Sequence, residues 1–146
     1  MPIRESVHQK TLDIRTRGRG LYDVTSAVAA VLDDAGVTIG LCSLFLQHTS
    51  ASLVVQENAD PAVLRDLDRW MARSAPDGAG YEHDAEGPDD MPAHIRAAIT
   101  STSLTIPITA GKLALGTWQA IYVWEHRTSP HTRRLVITVL GVSGDP

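Results

Sequence analysis

The sequence predicts an α+β domain: an antiparallel or mixed β-sandwich-like core carrying about three helices. Three observations lead there. Residues 25–35 and 60–73 space their apolar side chains at helical intervals. Six other segments are apolar or alternating and have strand length. The resulting order, βαββα, a long loop, then αβββ, has too few helices between strands for a doubly wound parallel sheet. With 146 residues, the chain reads as one domain spanning 1–146, long enough to bury roughly 70% of its unfolded surface.

The elements follow in order. Residues 5–16, ESVHQKTLDIRT, mix apolar and polar residues as a strand does. In DVTSAVAAVLDDAGV, Thr25 is expected to cap a helix whose stripe is Val28, Val31, Leu32 and Ala35, with Gly36 as its stop. VTIGLCSLFLQHT is a buried strand ending near His48, and ASLVVQE is another. Asp60 followed by Pro61 is a strong helix start, and Val63, Leu64, Leu67, Trp70 and Met71 form the apolar face behind it. Residues 75–90, APDGAGYEHDAEGPDD, are a Gly/Pro/Asp-rich loop, of a length that is either functional or disordered. PAHIRAAITST is a short helix, with Met91 kept out of it by the proline that follows. SLTIPIT, GTWQAIYVWEH and TRRLVITVLG complete the strands, with turns at 110–112 and at Pro130.

Composition excludes several classes. A net charge of −4 argues against general nucleic-acid binding, which needs a basic surface. No apolar run has the length of a membrane span. The start, MPIRESVHQK, has no apolar signal core, which gives a cytoplasmic expectation. Cys42 is the single cysteine, so neither an internal disulfide nor a cysteine zinc cluster can form. No G-x-S-x-G elbow is present. Charge is unevenly spread: residues 57–90 carry ten acids against three arginines, whereas residues 126–134, HRTSPHTRR, hold three arginines and no acid.

Three constellations could carry chemistry. In QHTSASLVVQEN, His48 stands where an apolar strand turns polar, followed by Thr49, Ser50 and Ser52, with Glu57 and Asn58 at the exit of the next strand. This is a site on a strand end or a hydrogen-bonded strand histidine, and spacing leaves both open. In YEHDAEGPDDMPAH, Asp89 and Asp90 have a complete explanation as helix caps. His94 in the first turn does not, because the helix dipole there favours neutral imidazole, the metal-binding form. In GKLALGTWQAIYVWEHRTSPHTRRL, Gln119 and Glu125 share an otherwise apolar strand face. Trp118, Tyr122 and Trp124 on the other face read as core or subunit interface. Arg127, Arg133 and Arg134 could clamp phosphate or simply solubilise a hairpin tip.

Read together, HTSASLVVQENADPAVLRDL, HDAEGPDDMPAHIRAAI and GKLALGTWQAIYVWEHR resemble the YjbQ-like family, also called the secondary thiamine-phosphate synthase family. The likeness runs over nearly the whole chain. It implies an α+β sandwich-like single domain and a homotrimer. It implies His48, His83 and His94 around a divalent metal, zinc or magnesium, or an anion. Nearby roles fall to Glu57, Asp90, Gln119, Glu125 and Arg127. The Glu-x-Arg pair fits the family pattern, but His126 and His131 do not, and no role is carried onto them. The implied reaction joins hydroxymethylpyrimidine diphosphate to thiazole phosphate with release of pyrophosphate, with Thr49, Ser50, Asn58, Arg127 and Arg133 as the substrate-binding set. Alternatives of other classes are a non-catalytic trimeric binder of a metal or small phosphorylated metabolite, and a different metal-dependent phosphate-handling enzyme. Neither nucleic acid nor membrane is an expected partner.

Overall fold

The computed structural model describes residues 2–78 and 80–144. The chain runs β1 (Arg4–Thr16), β2 (Gly20–Asp23), α1 (Thr25–Ala35), β3 (Ile39–Leu46), β4 (Ala51–Glu57), α2 (Pro61–Ser74), α3 (Asp90–Ala98), β5 (Ser103–Thr109), β6 (Lys112–Leu113), β7 (Gln119–Glu125) and β8 (His131–Ser143). Two sheets result, with orders β1-β8-β3-β5-β6 and β2-β7-β4. Every strand pairing is antiparallel, which removes the mixed alternative. The α+β class and three helices are as the pattern predicts. The short strands β2 and β6 are additions, too brief to leave a periodic signal.

Alternation along the strands builds the core. Cys42, Leu44 and Leu46 of β3, Leu135, Ile137 and Val139 of β8, and Ile106 and Ile108 of β5 point to one side of the large sheet. Leu53 of β4 and Ile121 and Val123 of β7 answer them from the small sheet, and Val28, Val31 and Leu32 of α1 complete the cluster. Burial of this kind stabilises by roughly 25 cal/mol per Å² of apolar surface removed from water. Cys42 lies fully inside, and burial pushes its thiol up to about 11, so it is inert. The β3–β8 ladder closes where Gly40 faces Gly141. A Cβ on Gly40 would lie 2.1 Å from the Leu140 carbonyl oxygen, so only glycine allows this approach.

The other face of the small sheet is covered by α2 and α3, both packed on β4. Trp124 is buried there and its indole Nε1 donates to Asp68 Oδ1 at 3.1 Å. Of the predicted aromatic face, Tyr122 and Trp124 are core, whereas Trp118 is 63% exposed. Two cap expectations need correction. Val24, not Thr25, sits at the N-cap of α1. The Thr25 hydroxyl instead accepts from the Ile121 backbone N–H and ties the helix to β7. Helix α3 starts at Asp90, ahead of Pro92, and Asp89 at its N-cap makes no side-chain cap bond because its carboxylate is engaged elsewhere. Asp60 does cap α2, accepting from Ala62 N–H with Pro61 next to it.

Candidate metal centre and its supporting network

One end of the fold gathers charge. Strand β7 ends at Glu125 opposite Ala51, the first residue of β4, and Gly20, the first of β2. Strand β8 begins here too, and the loop before α3 closes over the same end. His83 from that loop, Asp90 in the first turn of α3 and His94 one turn later converge. One ligand atom from each lies within 4.8 Å of the others. His83 Nε2 is 2.6 Å from Asp90 Oδ2, and His94 Nε2 is 3.5 Å from the same oxygen. The two rings meet edge to face, centroids 5.3 Å apart. The i, i+4 placement of Asp90 and His94 puts both on one helix face. Asp90 is 2% exposed, while the His83 and His94 side chains are partly open to solvent.

Asp90 is held from behind. Arg127 donates from Nη1 to Asp90 Oδ1 at 2.9 Å, from Nε to Asp89 Oδ2 at 3.0 Å and from Nη2 to the Glu86 carbonyl at 2.9 Å. Asp89 Oδ2 also accepts from the Thr128 backbone N–H at 2.8 Å and hydroxyl at 3.1 Å. Burial works to raise the Asp89 carboxyl. The Thr128 N–H, the Arg127 guanidinium and the Thr128 hydroxyl outweigh it and hold the group well below the usual carboxylate range. Asp90 is likewise lowered: burial opposes, and the His83 bond with the Arg127 and His94 charges prevails. An ionised Asp90 can only accept, so His83 Nε2 carries the proton in their shared bond.

A second network lies beneath the first. Glu125 is fully buried, and its Oε1 accepts from the Thr16 hydroxyl at 2.6 Å and Arg133 Nε at 2.7 Å. Its Oε2 accepts from Arg133 Nη2 and from the Arg127 backbone N–H at 3.1 Å. Arg133 Nη2 also donates to the Ser50 hydroxyl at 3.0 Å. The carboxyl stays lowered because these bonds exceed the burial penalty. His126, also fully buried, pairs its Nε2 with the Ser52 hydroxyl at 2.8 Å. Burial first, then the Arg96 guanidinium, push its imidazole down to about 3.

The structure thus divides the sequence-predicted residues. His83, Asp90, His94 and Arg127 come together. His48 does not join that group. Its Nε2 accepts from the Arg134 backbone N–H at 2.7 Å, and its Nδ1 is 3.4 Å from Arg133 Nη1, so the hydrogen-bonded strand histidine is the form observed. Glu125, Ser50 and Arg133 are interior, with their polar groups spent on one another, which leaves them no free phosphate-facing group. Thr49 is exposed at the strand end beside them. Glu57, Asn58 and Gln119 sit at the far end of β4 and β7, where Glu57 pairs with Gln119. At ~3.3 Å per residue along β7 this is roughly 20 Å from Glu125. There Glu57 accepts from Ala59 N–H and Gln119 from Gly116 N–H in local turns, while Asn58 donates to the Thr117 carbonyl across to the segment before β7. Sequence reasoning missed Asp89 as the group that fixes Arg127, because it read the carboxylate as a helix cap.

The donor set suits a transition-metal ion. Two imidazole nitrogens and one carboxylate oxygen, with space left open, form the three-ligand pattern of catalytic zinc and related sites. Magnesium prefers all-oxygen surroundings, so zinc is the better match of the two expected metals.

Comparison with known proteins shows the family and the fold of the chain. A family model described as UPF0047 protein YjbQ-like matches residues 10–142. The UPF0047 protein sll1880 of Synechocystis is 53% identical over 92% of both chains. UPF0047 protein YjbQ of Escherichia coli O157:H7 is 46% identical, covering 92% of this chain and 98% of its own. Among solved structures, an uncharacterised YjbQ/UPF0047 family protein from Clostridium acetobutylicum superposes with TM-score 0.80 at 33% identity, over 90% of this chain and 98% of its own. A YbjQ-like protein of unknown function from Sulfolobus solfataricus gives 0.86 at 23% identity, covering 94% and 99%, a likeness of fold alone.

Proposed function

The chain belongs to the UPF0047 YjbQ-like family, and we propose that it is a metal-assisted enzyme acting on a small phosphorylated metabolite. In its finest form, this is a thiamine-phosphate synthase-type transferase that joins two phosphorylated heterocycles and releases pyrophosphate. The observation that carries the proposal is the convergence of His83, Asp90 and His94 within 4.8 Å. His94 Nε2, Asp90 Oδ2 and His83 Nε2 would hold a divalent ion, His83 giving up the proton it shares with Asp90 as the ion binds. A bound cation would supply Lewis-acid charge to a phosphate oxygen. The residues themselves orient: Arg127 fixes Asp90 from behind, Asp89 and Thr128 fix Arg127, and the buried Glu125–Arg133 pair fixes the backbone of Arg127.

One observation favours a second reading. The arginines expected to clamp pyrophosphate, Arg127 and Arg133, are engaged by carboxylates inside the fold. A centre that holds a phosphorylated metabolite without pyrophosphate release, or hydrolyses a simple phosphate ester, needs no such clamp. The homotrimer belongs to the same proposal. It is supported by an apolar row on the outer face of the large sheet, where Val7, Leu140 and Leu41 lie side by side across three strands and are 75%, 42% and 43% exposed.

The test combines metal analysis with assay. Purified protein is expected to retain about one divalent ion per chain and, with both heterocyclic phosphates, to form thiamine phosphate. Loss of both properties in His94→Ala is the supporting result. Metal bound without any product transfers the proposal to the second reading, and absence of metal binding ends both.

A further inference from the structure

We propose that Arg19 is a positioning residue of the candidate centre: its guanidinium fixes the loop that carries His83 against the segment that carries Arg127. This rests on the reading of His83, Asp90 and His94 as a metal centre, and it names what sets their spacing.

The turn from β1 into β2 reads Arg17, Gly18, Arg19, Gly20, and its surroundings make it a fixed mount. The Tyr22 hydroxyl donates to the Gly18 carbonyl at 2.7 Å and accepts from the Arg17 backbone N–H at 2.9 Å. Gly18 has a φ of 135°, and a Cβ there would lie 2.8 Å from the Thr128 carbonyl oxygen. Only glycine lets the turn press so closely on Thr128, the residue whose N–H and hydroxyl hold Asp89.

From this mount Arg19 reaches two ways. Its Nη1 and Nη2 donate to Asp77 Oδ2 and Oδ1 at 2.7 Å and 2.6 Å, a bidentate pair. Its Nε donates to the His126 carbonyl at 2.8 Å. Asp77 stands six residues before His83, near the start of the loop, and His126 immediately precedes Arg127. One guanidinium thus ties together the two segments that converge on Asp90. The loop brings His83 to Asp90 Oδ2, and Arg127 holds Asp90 Oδ1. The Arg19 bond is also the foremost cause that holds the Asp77 carboxyl below its ordinary value, with burial opposing it. The pair is partly open to water, with side chains 25% and 38% exposed, and ion pairs of that kind add little to global stability. Its effect is on geometry. The loop holds three glycines between Asp77 and Pro88, so the place of His83 depends on anchors outside its own backbone. Lysine cannot supply this one, because a single ammonium lacks the planar fork that serves two carboxylate oxygens and a carbonyl together.

The test compares Arg19→Lys, Arg19→Met and Asp77→Asn with wild type, each as the whole chain. In metal-free protein, the ring proton–nitrogen NMR signals of His83, assigned with His83→Gln, report its bond to Asp90. They are expected to move in all three variants. Zinc, titrated by calorimetry, is expected to bind about tenfold more weakly in each, the lower end of what losing a supporting bond behind a metal ligand costs. Cobalt(II) at saturation should show an altered visible band pattern. Arg19→Met combined with Asp77→Asn should bind zinc no more weakly than Arg19→Met alone, since Asp77 acts through Arg19. Asp77→Asn changes an exposed side chain, so the comparison stands even where Arg19→Met fails to fold. Variants that melt earlier but keep the wild-type zinc affinity, cobalt spectrum and His83 signals would make Arg19 a structural residue only and overturn the proposal. If wild type binds no zinc, the metal centre fails by itself and the His83 signals decide the role of Arg19: displaced in the variants they uphold it, and unmoved they end it.

Discussion

Lowering the pH from 7 to 5 should destabilise the protein by about 2 kcal/mol through His126 alone. The imidazole is fully buried and held neutral, with a pKa of about 3 against 6.5 for an ordinary histidine. In the unfolded chain it takes up a proton as pH falls below 6.5, while in the folded chain it does not. Stability attributable to the group is thus intact above 6.5 and falls by about 1.4 kcal/mol per pH unit between 6.5 and 3. Integrated from pH 7 to 5, the loss is about 2 kcal/mol, and it keeps that value for any folded pKa below about 4. The lowered carboxylates Glu125 and Asp89 lose their contributions only at more acid pH, because ordinary carboxyls titrate near 4. His48, also lowered, by burial and Arg133, adds a loss of the same sign. His126→Gln isolates the His126 share, since it does not titrate and can still bond to the Ser52 hydroxyl. Urea unfolding at pH 7, 6 and 5, extrapolated to water, gives the slopes. The variant should be less stable at pH 7 but shallower by about 2 kcal/mol over the interval. Parallel slopes in the two proteins would refute the assignment.

Other consequences can be measured on the same material. His94→Ala and Asp90→Asn should each weaken zinc binding at least tenfold by calorimetry, whereas Glu57→Gln, at the opposite end of β4 and β7 from Glu125, should leave it unchanged. Glu125→Ala leaves the Arg133 guanidinium buried without its partner and should cost about 3–5 kcal/mol; Glu125→Leu combined with Arg133→Met should recover most of that loss, as read from thermal melts. Arg127→Met should reduce phosphate binding by the zinc-loaded protein more than it reduces zinc binding itself.

What the sequence disclosed about the fold followed its periodicities. Val28, Val31 and Leu32 at helical spacing, and the alternation through Leu135, Ile137 and Val139, correspond to core positions. The two cap errors have a common cause. Thr25 and Asp89 are good cap residues in isolation, but each found a stronger distant partner, Ile121 N–H and Arg127. The candidate centre divides in the same way. His83, Asp90 and His94 lie within twelve residues, but only His94 stood out, on a first-turn placement that the structure moves one turn into α3; Asp90 read as a cap, and His83 entered through resemblance. The contact from Arg127 to Asp90 spans 37 residues, and spacing cannot register it. Glu57 and Gln119 entered through resemblance. A strand pattern says which residues share a face but not which end of the strand meets the site.

The position of Arg127 explains why a phosphate-handling site would turn an arginine toward carboxylates. Asp89 and Asp90 bring two negative charges behind the two imidazoles, and Arg127 cancels one of them. The buried set therefore carries a formal charge of minus one, enough to favour a divalent cation. With that cation in place, the centre would keep a net positive charge for an anionic oxygen. Without Arg127, the carboxylates would neutralise the cation and this attraction would vanish. Arg127→Met separates the two effects. For the metal they oppose each other: the extra negative charge strengthens binding, while loss of the Asp90 tether weakens it, by ten- to a hundredfold where such supporting bonds have been removed elsewhere. For the anion both effects act in the same direction. Zinc affinity and zinc-dependent phosphate affinity, measured by calorimetry on wild type and variant, should therefore diverge, with phosphate losing more. Phosphate binding that is unchanged in zinc-loaded Arg127→Met would show that the guanidinium does not set the charge of the centre.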